Sequence, residues 1–170
     1  MENKIIKTIK ARVSTRKYLP KNVPLKKLEA ILECGKMAPS GMNRQICSIL
    51  LLRKKSLLNA LKALGEEVRG RDCYYGAPAA ILVYGPKEDK FTQVDAACIL
   101  ENMFIAAESL GLGSCWINQT EELLSTPKGL KLRRKLGIGE DQVVVGTCIV
   151  GYKAQPSESK PRREDLVRII

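Results

Sequence analysis

At 170 residues, 45% of them apolar, the chain is long enough for one domain with a sizeable core and too hydrophobic to be disordered. Its formal charge of +11, from 29 basic and 18 acidic residues, favours anionic partners without separating nucleic acid from a phosphorylated small molecule. Aromatic residues, at 5%, argue against a stacking platform for single-stranded nucleic acid, and the lack of any histidine excludes Ser-His-Asp and Cys-His machinery. The cysteines at 34, 47, 73, 98, 115 and 148 form no CxxC pair and sit mostly in apolar runs, so neither a zinc site nor a disulfide framework is expected. No signal-peptide core and no run near the ~20 apolar residues of a membrane span is visible, and a cytoplasmic location is the expectation.

In chain order, residues 2–11 carry a helical pattern with Ile5, Ile6 and Ile9 on one face. "RVSTRKYLPKNVP" breaks it, and Leu25 to Met37 reads as a second helix with Leu28, Ile31, Leu32 and Gly35 facing inward. "CSILLLRK" reads as a buried strand, "SLLNALKALGEEV" as a helix expected to fray at Gly65, and "AAILVYG" as a second strand after the turn at Gly76 and Pro78. Asp95 to Leu110 is the clearest helix, with Ala97, Leu100, Phe104 and Ala107 on a broad apolar face and "GLG" as its cap. "SCWI" reads as a short strand, 127–136 as a helix and "QVVVGTCIVGY" as a long strand. The pattern predicts an α+β fold: helices packed on a small, mostly antiparallel or mixed sheet. The tail "KAQPSESKPRREDLVRII" ends in an apolar patch that either docks on its own chain as a helical turn or adds to a neighbouring subunit.

Four stretches are candidates for chemistry. In "ARVSTRKY", an extended backbone would project Arg12, Ser14 and Arg16 to one side, two guanidinium forks about a hydroxyl, which suits a phosphate; a solvated helix end is the plainer alternative. "SKPRRE" repeats the spacing with Lys160 and Arg162 about Pro161, or is an ordinary basic tail. In "APSGMNRQ", Ser40 and Asn43 either shape a turn or, with Gln45, offer paired donors and acceptors to a flat heterocycle. "GLGSCWI" is no dinucleotide fingerprint, because Trp116 stands where GxGxxG needs its next glycine-compatible position, but it can lay backbone amides against a ring.

In this order, the four pieces resemble the nitroreductase family of flavin mononucleotide (FMN) enzymes. "RVSTR" followed by Tyr18 and "NVP" resembles the family's N-terminal element, "APSGMNRQ" its APS-x-x-N-x-Q loop, "AAESLGLGSCWI" the approach to its flavin-covering segment, and "IVGYKAQPSESKPRRE" its C-terminal "GY…KPR" tail. The likeness spans essentially the whole chain.

The resemblance implies one FMN-binding domain over residues 1–170, whose tail from 153 packs on the partner of a homodimer with the flavin at the interface. It implies that Arg12 and Ser14, beside Val13, hold the phosphate, that Lys160 and Arg162 complete the clamp, and that Arg16 lies near the N1–C2=O edge of the flavin. Pro39, Ser40, Asn43 and Gln45 would form the pocket of the pyrimidine ring, and Cys115, Trp116, Ile117 and Asn118 would cover one face with a backbone N–H near N5. The chemistry would belong to the flavin, with no protein acid or base, passing two electrons from NAD(P)H to a nitroaromatic, quinone or similar acceptor. Reductive dehalogenation, flavin fragmentation or flavin storage are the alternatives, and neither nucleic acid nor membrane is an expected partner. Asn118 and Gln119 depart from the glutamate or glycine common at that place, and "NRQI" lacks the proline and aromatic that often follow the glutamine. The helices that roof larger members are missing, which leaves residues 66–78, with Tyr74 and Tyr75, as the segment for substrate contact.

Overall fold

The computed structural model describes residues 2–170. Its sheet consists of β1 (Ser48–Leu52), β2 (Ala79–Pro86), β3 (Gly113–Ile117) and β4 (Gln142–Gly151), in the order β1-β2-β4-β3 with every pair antiparallel. The helices are α1 (Lys4–Ala11), α2 (Leu25–Lys36), α3 (Lys55–Arg69), α4 (Thr92–Ser109), α5 (Thr120–Leu124) and α6 (Pro127–Lys135). The expected α+β architecture is therefore present, and the sheet is antiparallel throughout rather than mixed.

The central strands are apolar on both faces because both faces are covered. Ile81, Val83, Cys148 and Val150 point to one side and pack with Leu28 and Ile31 of α2 and Leu100, Met103 and Phe104 of α4. The alternate residues Leu82 and Ile149 point to the other and pack with Leu61 of α3, Leu123 and Leu124 of α5 and Leu132 of α6. Helix α4 has few charges because its broad face lies on the sheet, with Ala96, Leu100, Met103 and Ala107 at 0% exposure. It begins at Thr92, one turn before the expected start, and ends as the "GLG" predicts. Gly111, at φ +72°, donates to the Glu108 carbonyl, and Leu112 donates to that of Ala107 at 2.9 Å.

Two readings needed correction. Helix α3 does not fray at Gly65 but runs on to Arg69, where Gly70 at φ +67° caps it. Gly65 is a packing site instead: a Cβ there would lie 3.0 Å from the Arg71 carbonyl oxygen and 3.2 Å from the Cys73 nitrogen. The five-residue α5 was not foreseen, since one helical turn shows no periodicity. It is held by Glu121, whose carboxylate accepts from Arg133 Nη1 at 3.0 Å and from the Val144 N–H at 2.8 Å. Arg133 is 2% exposed and also donates to the carbonyls of Gly139 and Gln142.

The N-terminal arm is laid on the sheet edge. Thr15 N–H donates to the Ser114 carbonyl, and Leu19 N–H to that of Tyr152, while Ala154 N–H donates to Lys17. The approach is close because Gly113 and Gly151, paired across β3 and β4, have no side chains in the way. A Cβ on Gly113 would sit 2.5 Å from Thr15 Oγ1, and one on Gly151 2.7 Å from the Tyr18 ring. Beyond Ser157 every residue of the tail is exposed: its only regular element is a 3₁₀ turn, Glu164–Leu166, so no docked helical turn covers the apolar end. No helix among the described residues is long and apolar enough to cross a membrane.

Arg133→Ala should leave the partly buried Glu121 carboxylate without its cation and lower unfolding free energy by about 3 kcal/mol, read from the urea midpoint. Alkaline pH should also destabilise the fold. Burial raises the Cys47 thiol from 9.0 to about 11 and pushes Cys73, Cys115 and Cys148 the same way. Above their ordinary range the unfolded thiols ionise first, so stability is full below pH 9.0 and falls as pH climbs from there towards about 11. The urea midpoint should thus be lower at about pH 10.5 than at about pH 8.

Candidate functional site

The residues singled out in the sequence fall into three groups. The first is built on β3 and the arm beside it. Arg16, Cys115, Trp116, Ile117 and Asn118 line one cavity of about 240 Å³, together with Arg71, Tyr75 and Gln119. Ser14 bridges to Ser114 in parallel, which sets the half-buried Arg12, Val13 and Ser14 along the strand. Cys115 reports how close these groups are: burial raises its thiol, and Arg16, the Ser14 hydroxyl and Arg12 pull it partly back. Trp116 packs at a tilt of 46° against Phe104, ring centroids 6.2 Å apart, and fills the space left by Gly146 on β4.

This cavity is electropositive and unneutralised. Among the described residues neither Arg16 nor Arg71 has a carboxylate within 4.0 Å, while Arg12 lies 3.8 Å from Glu101. Guanidinium groups are donor-only and permanently charged, so two that line one cavity without an acid favour an anion or an electron-rich ring edge. Arg71 was not singled out in the sequence, where it falls only within the 66–78 segment, and Gln119 was noted only as a departure from the family's pattern.

The second group is the loop between α2 and β1. Pro39, Ser40 and Gln45 line a separate cavity of about 430 Å³, with Leu32, Cys47, Asp95 and Ile99. The loop is tightly held: Ser40 Oγ accepts from the Gln45 N–H at 3.1 Å, and Asn43 Oδ1 accepts from Gln45 Nε2 at 3.0 Å. Arg44 pairs with Asp89 at 2.6 Å, and Gly41 packs where a Cβ would meet the Phe91 ring at 2.6 Å. Met42, Asn43 and Gln45 have φ of 53°, 54° and 51°, the left-handed region that costs a residue with a side chain about 1–2 kcal/mol. Ser40 and Asn43 thus shape the turn, as the plainer reading expected, and leave an ordered edge at the surface.

Asp95 anchors that loop from α4. Its Oδ1 accepts from the Gly41 N–H at 3.0 Å; its Oδ2 is buried and has no partner among the described residues, although the residue borders the cavity. The side chain is 5% exposed, and its negative charge adds to burial in raising the Cys47 thiol. A lone acid in the apolar run "QVDAACIL" is the signal that sequence reading took only for a helix start.

The third group is the tail. Lys160 and Arg162 extend into solvent and line neither cavity, although Ser157 Oγ lies 3.4 Å from Thr15 Oγ1 and Lys17 reaches Gln155. Of the tyrosines, Tyr75 reaches the cavity of Arg16, whereas Tyr74 is turned inward, 4% exposed, with its hydroxyl 3.0 Å from that of Thr120. Groups of metal-ligating side chains are absent among the described residues.

Asp95→Ala should unfasten the loop. It should cost about 1–3 kcal/mol for the orphaned Gly41 N–H and speed hydrogen exchange there, measured by NMR, while the amides of β4 stay protected.

A crystal structure of a nitroreductase with bound FMN from Bacteroides fragilis superposes with a TM-score of 0.91 at 33% identity, covering 99% of this chain and 100% of that one. A protein of Archaeoglobus fulgidus, named for a proposed NADH dehydrogenase/NAD(P)H nitroreductase activity, is 31% identical over 86% of this chain and 84% of its own. The iodotyrosine deiodinase of Thermotoga neapolitana is 26% identical over 94% of each chain. The description of the nitroreductase family matches residues 9–152, and the chain belongs to that family.

Proposed function

We propose that the protein is an FMN-dependent oxidoreductase working as a homodimer. The observation that carries this reading is the pair of unneutralised guanidiniums, Arg16 and Arg71, at a cavity walled by Cys115 to Gln119. The residues fit FMN on two counts. Its phosphate, of about −1.5 to −2 charge, needs cations and hydroxyls, which Arg12, Ser14 and the tail supply. Its ring edge offers carbonyl acceptors to arginine and an N–H to an acceptor such as the loop's amides.

The tail supports the clamp by its reach. Ser157 lies beside Thr15, and three extended residues span about 10 Å, so Lys160 is within reach of the arm. Val13 fixes the backbone between the two phosphate-facing side chains. Bound FMN would supply the two-electron chemistry, accepting hydride from NAD(P)H and passing it to a nitroaromatic, quinone or similar acceptor. The chain's own part is to hold, orient and polarise: the backbone of Cys115–Asn118 lies along one face, Arg16 stabilises negative charge at the ring edge, and Tyr75 borders the acceptor's space.

A second copy completes the arrangement in this reading. Pro39, Ser40 and Gln45 of the loop that also carries Asn43, and the β3 segment, line separate concavities of one chain, which suits a flavin shared between two. Large apolar side chains outside both cavities are open to solvent: Ile5 is 66% exposed, Met37 78%, Met42 76% and Val94 55%. The tail adds Leu166, Val167, Ile169 and Ile170, all exposed, to cover a partner.

Reductive dehalogenation is a second reading, favoured by the end-to-end likeness to the Thermotoga deiodinase. Halide release from an iodophenol and reduction of a nitroaromatic, assayed side by side, separate the two.

The purified protein should be yellow, and NADH or NADPH should bleach its flavin absorbance. Replacing both Arg12 and Arg162 by alanine should weaken FMN binding at least about tenfold. Full flavin occupancy in that double variant would refute the clamp.

A further inference from the structure

A second positive concavity lies behind the segment that carries Tyr75. From Arg71 to Gly76 the chain forms a shared wall: Arg71, Cys73 and Tyr75 line the cavity of Arg16, whereas Asp72, Tyr74 and Gly76 line a groove of about 470 Å³ on the other side. Across that groove stands a stripe of α3, with Lys55, Asn59 and Lys62 at i, i+4 and i+7, and Arg53 closes one end from the turn after β1. A smaller cavity of about 280 Å³ shares Asn22, Arg53 and Pro78 with it and adds Lys54. The volume suits a nucleotide-sized ligand, for which sites of about 300–1,000 Å³ are usual.

The charge of this groove is unbalanced. Asp72 is its one carboxylate, and both its oxygens are already engaged: Oδ1 accepts from the Tyr74 N–H at 2.8 Å and Oδ2 from the Gly76 N–H at 2.9 Å. Among the described residues Arg53, Lys54 and Lys55 have no carboxylate within 4.0 Å, and Lys62 has only Glu66 at 3.6 Å. These cations do not serve the helix either. Arg53, Lys54 and Lys55 gather where the dipole of α3 is positive and where no acidic residue of its first turn offsets them, an arrangement that destabilises. Local conflict of this kind marks functional surface. Three donor-only groups facing one concavity, Arg53, Lys55 and Lys62, with two amides between them and Lys54 in the adjoining cavity, concentrate and orient a multiply charged anion.

We infer that this groove binds the di- or oligophosphate group of a nucleotide-sized ligand, separately from the cavity proposed for the flavin. The phosphates belong either to the reduced nicotinamide coenzyme or to another phosphorylated molecule, and the chemistry that recognises them is the same. A coenzyme held here would have its nicotinamide end directed past the shared wall towards Arg16.

The test uses FMN-loaded protein, so that the phosphate clamp is filled, titrated with inorganic pyrophosphate by calorimetry at low salt. One saturable site per chain is expected, tighter for pyrophosphate than for sulfate. Replacing Arg53, Lys55 and Lys62 together by glutamine should weaken it at least about tenfold, with flavin absorbance unchanged and a melting temperature no lower than the parent's. No saturable binding to the parent, or equal affinity in the variant, overturns the inference. Steady-state assays then assign the source. A raised KM for NADPH or NADH with unchanged kcat points to the coenzyme, and an unchanged KM beside lost pyrophosphate binding points to another phosphorylated ligand. Should the protein take up no FMN, the comparison of parent and variant still reads the groove, because none of the three residues belongs to the clamp.

Discussion

The site depends on one close approach. Gly113 and Gly151 face each other across β3 and β4, and the gap they leave admits Thr15 and Tyr18 of the N-terminal arm. Any side chain at either position would push the arm off the sheet edge. With the arm in place, Ser14 bridges to Ser114, Arg12 and Arg16 come beside Cys115, and the Tyr18–Lys153 bridge brings the start of the tail alongside. Residues from the two ends of the chain and from its middle are thus placed by backbone pairing alone. The cavity with Trp116 is the result.

The other half is governed by a polar tie across a helix. Asp95 crosses from α4 to the Gly41 amide, and Arg44 to Asp89 adds a second brace, so the loop's position follows that of the most buried helix in the fold. Both halves are in this sense extensions of α4 and the sheet. The lysines at the end of α4 tie in the remaining neighbours: Lys27 donates to the Leu110 carbonyl, and Lys153 bonds Glu108. These are favourable places for cations, at the negative end of the helix dipole.

Much of this was legible in the sequence because the signals were local. Apolar periodicity gave every helix but α5 and the two central strands, and the glycine after Leu110 gave the end of α4. Ordered motifs gave the family and the residues around the β3 cavity. What could not be read required tertiary packing. Gly65 looked like a helix breaker and is a contact point, because its meaning lies in Arg71 and Cys73, which fold back on it. Tyr74 and Tyr75 are adjacent and alike in type, yet one is buried by the hydroxyl chain through Thr120 to Thr147 and the other lines the cavity. Arg71 carries no motif, and the partnerless oxygen of Asp95 is a property of its buried surroundings, invisible in a string of letters.

The left-handed residues of the Pro39–Gln45 loop bear on the entropy of recognition. A segment that holds Met42, Asn43 and Gln45 at φ near 53° has already surrendered its alternatives during folding. Surface loops normally lose rotational freedom when a guest arrives, and that loss is subtracted from affinity. Here the rigidification is complete beforehand, so a flat guest meeting this edge would find a template and would not have to freeze a moving chain.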